Sequence, residues 1–111
     1  MKIHLLKVKA NRQQIQEMEE TLNGYIKVAV DIEKGVLAGG GALHADCEAI
    51  LLREGSKQEN IWGANWIARK KRVTFDAMLN LVPRRNNRAM EIRDAKIRSE
   101  VEKIIRGFLE I

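Results

Sequence analysis

Residues 25–38 carry the pattern of a β-hairpin, which commits much of the chain to an antiparallel sheet. From residue 25 to residue 32, apolar side chains occupy every second position, as is typical of a strand with one buried face. Glu33, Lys34 and Gly35 then have the composition of a tight turn, and an apolar strand returns over residues 36–38. We therefore expect neighbouring strands to extend an antiparallel sheet.

Helix and strand patterns alternate along the rest of the chain. The further predicted strands are residues 2–8, 60–67 and 73–82. The predicted helices are one that Asn11 caps and that stops at Gly24, one over residues 45–54 and one that Asp94 caps. Residues 43–49 fit either a strand or a helix, and Gly55 favours the helix because it is a typical residue after a helix end.

The order β-α-β-β-α-β-β-α predicts an α+β fold, with a mostly antiparallel sheet of about five strands and helices packed on one face. A length of 111 residues suffices for one hydrophobic core, so we expect a single domain over residues 1–111. Apolar residues make up 45% of the chain and charged residues 32%, which excludes a disordered or collagen-like protein.

The residue types exclude several chemistries. One cysteine and two histidines supply neither an intramolecular disulfide nor the ligands of a structural zinc site. The first ten residues do not resemble a signal peptide, and no apolar run approaches the roughly 18 to 20 residues that a membrane span needs. We therefore expect a cytoplasmic protein that does not bind membranes, and we assign it no cofactor.

The net charge of +5 is concentrated in the second part of the chain. Residues 1–68 contain eight basic and nine acidic residues, whereas residues 69–111 contain twelve basic and six acidic residues. The candidate binding residues in this part are Arg69, Lys70, Lys71, Arg72, Arg84, Arg85 and Arg88, with the amides Asn65 and Asn80. Basic groups bind phosphate, so nucleic acid or an acidic protein is the expected partner. The alternative is a solvated turn and loop that keep the protein soluble.

The two basic clusters, residues 69–72 and 84–88, flank the predicted strand over residues 73–82. A straight strand of ten residues spans about 33 Å and would place the clusters at opposite ends of the protein. They form one patch only if residues 84–88 fold back along the sheet.

Acidic residues and a histidine near the hairpin suggest a different kind of site. Asp31 lies at the hairpin, and His44, Asp46 and Glu48 follow three consecutive glycines. In a strand, the last three would share one face and hold a divalent cation, whereas in a helix only His44 and Glu48 stay neighbours. His44 beside a carboxylate is also a candidate general base. The alternative is that Asp46 caps the helix and the others are solvated.

Three further side chains have a structural and a functional interpretation. Trp62 and Trp66 share one strand face, where they would stack on nucleic-acid bases or, as we favour, fill the core. Cys47 lies on an apolar stripe with other core candidates, so we expect a buried thiol.

Three segments contain sequence motifs that are informative as one ordered set. They are residues 30–35 (V-D-I-E-K-G), residues 43–65 (L-H-A-D-x-E-x-x-L-L-x-x-G-S-x-Q-x-x-x-W-G-x-N) and residues 75–80 (F-D-x-M-x-N). Over residues 25–90 the chain resembles a family of small, uncharacterised bacterial and archaeal proteins, a domain of unknown function. The resemblance implies no activity, and the basic run at residues 69–72 departs from it. The polar residues that belong to it are Asp31, His44, Asp46, Glu48, Gln58, Asn65, Asp76 and Asn80.

Two functions from different classes are compatible with these residues. We favour a non-enzymatic binding or interaction module, expected to be a homodimer, whose basic second part engages nucleic acid or an acidic partner. The alternative is a small metal-dependent hydrolase or nuclease that uses His44 with Asp46, Glu48 or Asp31. A binding module needs no catalytic constellation, and the chain contains none of the established catalytic motifs.

Overall fold

The computed structural model describes residues 2–111, which form one five-stranded sheet and three α-helices. The strands are β1 (His4–Leu6), β2 (Tyr25–Asp31), β3 (Val36–Gly39), β4 (Ile61–Ile67) and β5 (Arg72–Thr74). The helices are α1 (Arg12–Glu20), α2 (His44–Arg53) and α3 (Ala95–Leu109). The strands lie in the order β1-β3-β2-β4-β5, and each neighbouring pair is antiparallel. The predicted α+β class and antiparallel sheet are confirmed.

The helices cover both faces of the sheet, not one face as expected. α1 and α3 pack on the face that carries Val28 of β2. α2 packs on the opposite face, where Cys47 is fully buried against Ala29 and Ala38. These small side chains let a helix approach the sheet closely, so the side of β2 that the alternation marked as outward is partly covered.

Capping side chains define where the helices begin. Asn11 Oδ1 accepts a hydrogen bond from Gln14 N at 2.8 Å, and Gln14 Oε1 accepts one from Asn11 N at 2.9 Å, which completes a capping box. Asp94 Oδ1 accepts from Lys96 N at 2.8 Å at the start of α3. Both predicted caps are confirmed.

α2 begins at His44, three residues after the last of the consecutive glycines, so this ambiguous segment forms a helix and not a strand. Asp46 Oδ2 accepts a hydrogen bond from Leu43 N at 3.1 Å and so caps this end. Gly40 has φ +102°, and a β-carbon there would lie 2.5 Å from the carbonyl oxygen of Lys2. Only glycine fits this close approach, which leads the chain from β3 into α2.

The strand predicted over residues 73–82 is wrong beyond its start. β5 ends at Thr74, and the chain then continues through two short 3-10 turns at residues 78–80 and 83–85. The apolar alternation reflected burial, since Ala77 is 4% exposed, but it did not reflect pairing in the sheet.

Two side chains take the place of the missing strand along β4. Asn80 Oδ1 accepts a hydrogen bond from Gly63 N at 2.8 Å, and Asn80 Nδ2 donates one to Gly63 O at 2.9 Å. The Arg85 guanidinium donates to Ile61 O at 3.4 Å, and Ile61 lies two residues before Gly63 in β4. An amide side chain offers a donor and an acceptor as a peptide group does, so Asn80 satisfies this edge without a strand.

The tryptophans belong to the core, as favoured. Trp62 and Trp66 are 3% and 1% exposed and pack on the same face as α1 and α3. Arg85 Cζ lies 4.2 Å from the centroid of the Trp62 ring, and Arg106 Cζ lies 5.4 Å from that of Trp66. The buried rings present no platform for base stacking.

Candidate functional site

A cleft of about 710 Å³ opens on the face of the sheet that α2 covers. Its walls are formed by Tyr25 and Lys27 of β2, residues 43–45 at the start of α2, residues 76–79 after β5, and Met90. This volume lies within the usual range of small-molecule sites, and the walls combine apolar and polar side chains. We therefore take the cleft as the candidate functional site.

One edge of the His44 ring is held against the sheet. His44 Nε2 lies 3.0 Å from Ala64 O and 2.8 Å from Asn65 Oδ1, and a β-carbon on Gly63 would lie 3.4 Å from His44 Cδ2. Both partners of Nε2 are acceptors, so Nε2 carries the proton and donates it. His44 is also one of the residues that line the cleft.

Burial lowers the pKa of His44, although its hydrogen bonds to Ala64 and Asn65 act in the opposite direction. The nearby Lys27 ammonium also lowers this pKa, and Asp76 raises it. The imidazole is therefore neutral at pH 7, and its Nδ1 is an unprotonated acceptor.

Asn65 connects His44 to Asp76 from beneath the cleft. It is fully buried; its Oδ1 accepts from His44, and its Nδ2 donates to Asp76 O at 3.0 Å and to Asp76 Oδ1 at 3.2 Å. Nδ2 also lies 3.0 Å from Thr74 Oγ1. Asn65, predicted as a binding residue, is thus buried behind the cleft wall, and it orients His44 and Asp76, which form part of that wall.

Lys27 and Asp76 bring opposite charges to the same cleft. The strand register aligns Lys27 with Asn65, and Asn65 with Thr74, so Lys27 and the end of β5 are two strand spacings apart, about 10 Å. Within residues 2–111, neither Lys27 nor Asp76 forms an ion pair. Both charges are therefore available to a bound molecule.

Apolar side chains form the lip of the cleft. Leu43, Met78 and Met90 are 58%, 73% and 47% exposed, which is unusual for three large apolar residues around one opening. Tyr25 lies deeper, and burial raises the pKa of its phenol although a hydrogen bond with Thr74 lowers it. Tyr25 is therefore neutral and offers a hydroxyl group.

The predicted group of His44 with three carboxylates does not come together. Asp31 is buried at the hairpin, where it accepts from two turn amides at 2.9 and 3.0 Å and from Ser56 Oγ at 2.6 Å. Asp46 caps α2 and turns away from His44, as helical spacing requires, and Glu48 lies at the surface. In the described part of the chain, no three His, Cys, Asp or Glu side chains are placed to hold a metal ion.

The two basic clusters lie at opposite ends of β4. Residues 69–71 form the turn after its last residue and Arg72 begins β5, whereas Arg85 lies at the first residue of β4 and donates to Glu59 O at 2.7 Å. The seven-residue strand separates them by about 20 Å. They do not form one patch, and Arg85 serves the fold, while Arg84 and Arg88 are exposed.

Sequence reasoning missed Tyr25 and Lys27 as cleft residues and identified Asp76 only through the family resemblance. The available signal was the alternation in β2, which places Tyr25 and Lys27 on the face of Ala29. Asn80, predicted to bind a partner, is buried and hydrogen-bonded to the main chain.

The fold and the cleft define a class of small α+β protein with a five-stranded antiparallel sheet and a mixed apolar and polar site. The chain belongs to the family described as "Protein of unknown function (DUF5674)", whose model matches residues 4–108. This confirms the resemblance to an uncharacterised family. No curated protein and no solved structure matches the chain. None of the helices within residues 2–111 combines the length and apolar character needed to span a membrane.

Proposed function

We propose that the protein is a non-enzymatic binding module whose recognition site is the cleft around His44. The composition of the cleft wall carries this proposal. Leu43, Met78 and Met90 form an exposed apolar lip around an imidazole, an ammonium, a carboxylate and a phenol. Burying the lip supplies most of the binding free energy, and the few polar groups orient the ligand.

The residue types in the wall favour binding over catalysis. Among the residues that line the cleft there is no serine, threonine or cysteine to act as a nucleophile. Cys47 lies on the face of α2 that packs against the sheet, with its thiol 3.5 Å from Lys27 O, and burial raises its pKa to about 11, so it remains a thiol at pH 7. His44 therefore has no serine, threonine or cysteine in the cleft wall to activate.

Filling the cleft tests this proposal. Ala45 is exposed in the wall, and Ala49 is exposed on the same helix outside the wall, which makes Ala45→Phe and Ala49→Phe a matched pair. In ¹⁵N correlation NMR with a mixed fragment library, we expect bound fragments to shift amides of residues 43–45 and 76–79. These shifts should persist in Ala49→Phe and disappear in Ala45→Phe. Shifts that survive in Ala45→Phe, or that map elsewhere, would refute the cleft as the site.

The oligomeric state provides an independent test. A homodimer was expected from the sequence, and a second copy of the chain seated on Met78 would cover the lip. Light scattering of wild type and Met78→Lys distinguishes the two cases. A monomeric mass for both supports an open cleft, whereas a dimer that dissociates in Met78→Lys would show that the lip is a subunit interface and overturn the proposal.

The turn at residues 69–72 supports a second function, binding of a polyanion such as nucleic acid or an acidic protein. Its four basic side chains are exposed, and none of them pairs with an acidic residue of the described chain. Four phosphate contacts would give a slope in log affinity against log salt of about −2.8 with a single strand and about −3.6 with duplex DNA. Reversing residues 69–72 to glutamate should abolish binding of an RNA or DNA 20-mer in fluorescence polarisation, while reversing Arg84 and Arg88 should weaken it less. Equal affinity in wild type and the 69–72 reversal would exclude this surface.

A further inference from the structure

We propose that the ligand of the His44 cleft is a small apolar zwitterion, a molecule that carries an ammonium and a carboxylate on an apolar skeleton, such as a free apolar amino acid or a short apolar peptide. This inference rests on the proposed binding function and names its ligand class. Its basis is the pair of uncompensated opposite charges, Lys27 and Asp76, that line one cleft with an apolar lip.

The two charges are held apart by the fold. Lys27 projects from β2, and Asp76 follows β5, with β4 between these strands. Asn65 in β4 binds Asp76 at its main-chain and side-chain oxygens, so the carboxylate cannot swing over to Lys27 without losing the 3.2 Å contact. A pair of opposite charges that do not neutralise each other suits a ligand that carries the complementary pair.

A ligand of a single charge would fit this cleft poorly. An anion at Lys27 would have the Asp76 carboxylate facing the same space, and a cation at Asp76 would have the Lys27 ammonium there. A zwitterion instead places its carboxylate at Lys27 and its ammonium at Asp76, so both interactions are favourable.

The neutral groups of the cleft agree with this orientation. His44 Nδ1 is an acceptor because Nε2 donates to Ala64 and Asn65, so it accepts an N–H of the ligand ammonium. The Tyr25 phenol hydrogen-bonds with Thr74 and lies near Asp76, so its oxygen is on the side of the cleft where the ligand ammonium lies and accepts one of its N–H groups. The apolar skeleton then contacts the lip formed by Leu43, Met78 and Met90.

The test compares ligands that share one skeleton and differ only in charge. The probes are L-leucine and leucyl-leucine as zwitterions, 4-methylpentanoate without the amino group, and 3-methylbutylamine without the carboxylate. In ¹⁵N correlation NMR up to about 10 mM probe, we expect one zwitterion to shift the amides of Lys27, Ala45 and Asp76. Each singly charged probe should bind about tenfold more weakly or worse. The stronger of L-leucine and leucyl-leucine identifies the source of the zwitterion.

Two nearly isosteric substitutions exchange the preference. Asp76→Asn keeps the acceptor for Asn65 and removes the negative charge, so it should weaken the zwitterion at least fivefold and bind 4-methylpentanoate better than wild type does. Lys27→Met keeps the apolar stem and should favour 3-methylbutylamine instead. Melting temperatures near that of wild type would show that both variants fold.

The failure of this inference is distinct from the failure of the binding function. If fragments occupy the cleft and are expelled by Ala45→Phe, but both zwitterions fail to bind, or bind no better than the singly charged probes, the ligand class is wrong and the binding function stands. If no fragment and no probe shifts cleft amides, both proposals are overturned.

Discussion

Replacing Asn80 by alanine removes the amide that completes the outer edge of β4. In the native protein, Asn80 pairs with both main-chain groups of Gly63 at 2.8 and 2.9 Å. Its Nδ2 also lies 3.0 Å from Met90 O and 3.3 Å from Phe75 O, which ties the segment after β5 to the sheet. Asn80 and Gly63 are buried, so water does not replace the lost partners.

The expected loss of stability follows from these contacts. Each of the two orphaned groups of Gly63 costs about 1–3 kcal/mol, and the lost bonds to Phe75 and Met90 add about 0.5–1.5 kcal/mol. We expect Asn80→Ala to lower the free energy of unfolding by about 3–5 kcal/mol, against a typical total of about 5–15 kcal/mol. This corresponds to a fall of about 12–25 °C in melting temperature.

Urea denaturation followed by circular dichroism measures this loss. Asn60→Ala is the control, because within the described chain the Asn60 side chain forms no hydrogen bond, and a change of less than about 0.5 kcal/mol is expected there. If Asn80→Ala unfolds at the same urea concentration as Asn60→Ala, with the same dependence on urea, the interpretation of Asn80 as a substitute for strand pairing is refuted.

Three further predictions follow from the same contacts. Burial lowers the pKa of His44 below its ordinary value of 6.5, so on acidification the unfolded state is protonated before the folded state. The contribution of His44 to stability is therefore complete above pH 6.5 and is lost as the pH falls. In a series of urea midpoints against pH, His44→Gln should show a smaller loss on acidification than wild type, and parallel curves for the two proteins would contradict the lowered pKa of His44. Mg²⁺, Mn²⁺ or Zn²⁺ should change the melting temperatures of wild type and His44→Ala equally, whereas a shift confined to wild type would restore the hydrolase hypothesis. Arg85→Lys should lower the free energy of unfolding by about 1–2 kcal/mol, because it removes hydrogen bonds to the main chain and the guanidinium over Trp62. The matched variant Arg84→Lys, at an exposed position, should lower it by almost nothing. Equal melting temperatures of the two variants would refute the structural role of Arg85.

The carboxylate hypothesis shows where sequence reasoning about the site failed. His44 lines the cleft, but Asp31, Asp46 and Glu48 were grouped with it because they are close in the sequence. The structure uses Asp31 for the hairpin and Asp46 for the helix cap. A carboxylate beside main-chain amides is satisfied locally, and only its hydrogen-bond partners distinguish that role from a ligand's.

The sequence by itself determined those parts of the local structure that depend on neighbouring residues. The hairpin at residues 25–38 and the caps Asn11 and Asp94 depend on residues a few positions apart, so the pattern of side chains was enough to predict them.

Only the tertiary structure decided what surrounds His44. Lys27, Asn65 and Asp76 meet there because β4 pairs with both β2 and β5, and α2 covers a face with the small residue Ala29. The replacement of a strand by Asn80 has the same cause, because it depends on whether a side chain or a neighbouring strand lies beside Gly63 in the folded protein. Pairing across the sheet and packing between elements join residues that are distant in the chain, and no local pattern records which distant partner each residue obtains.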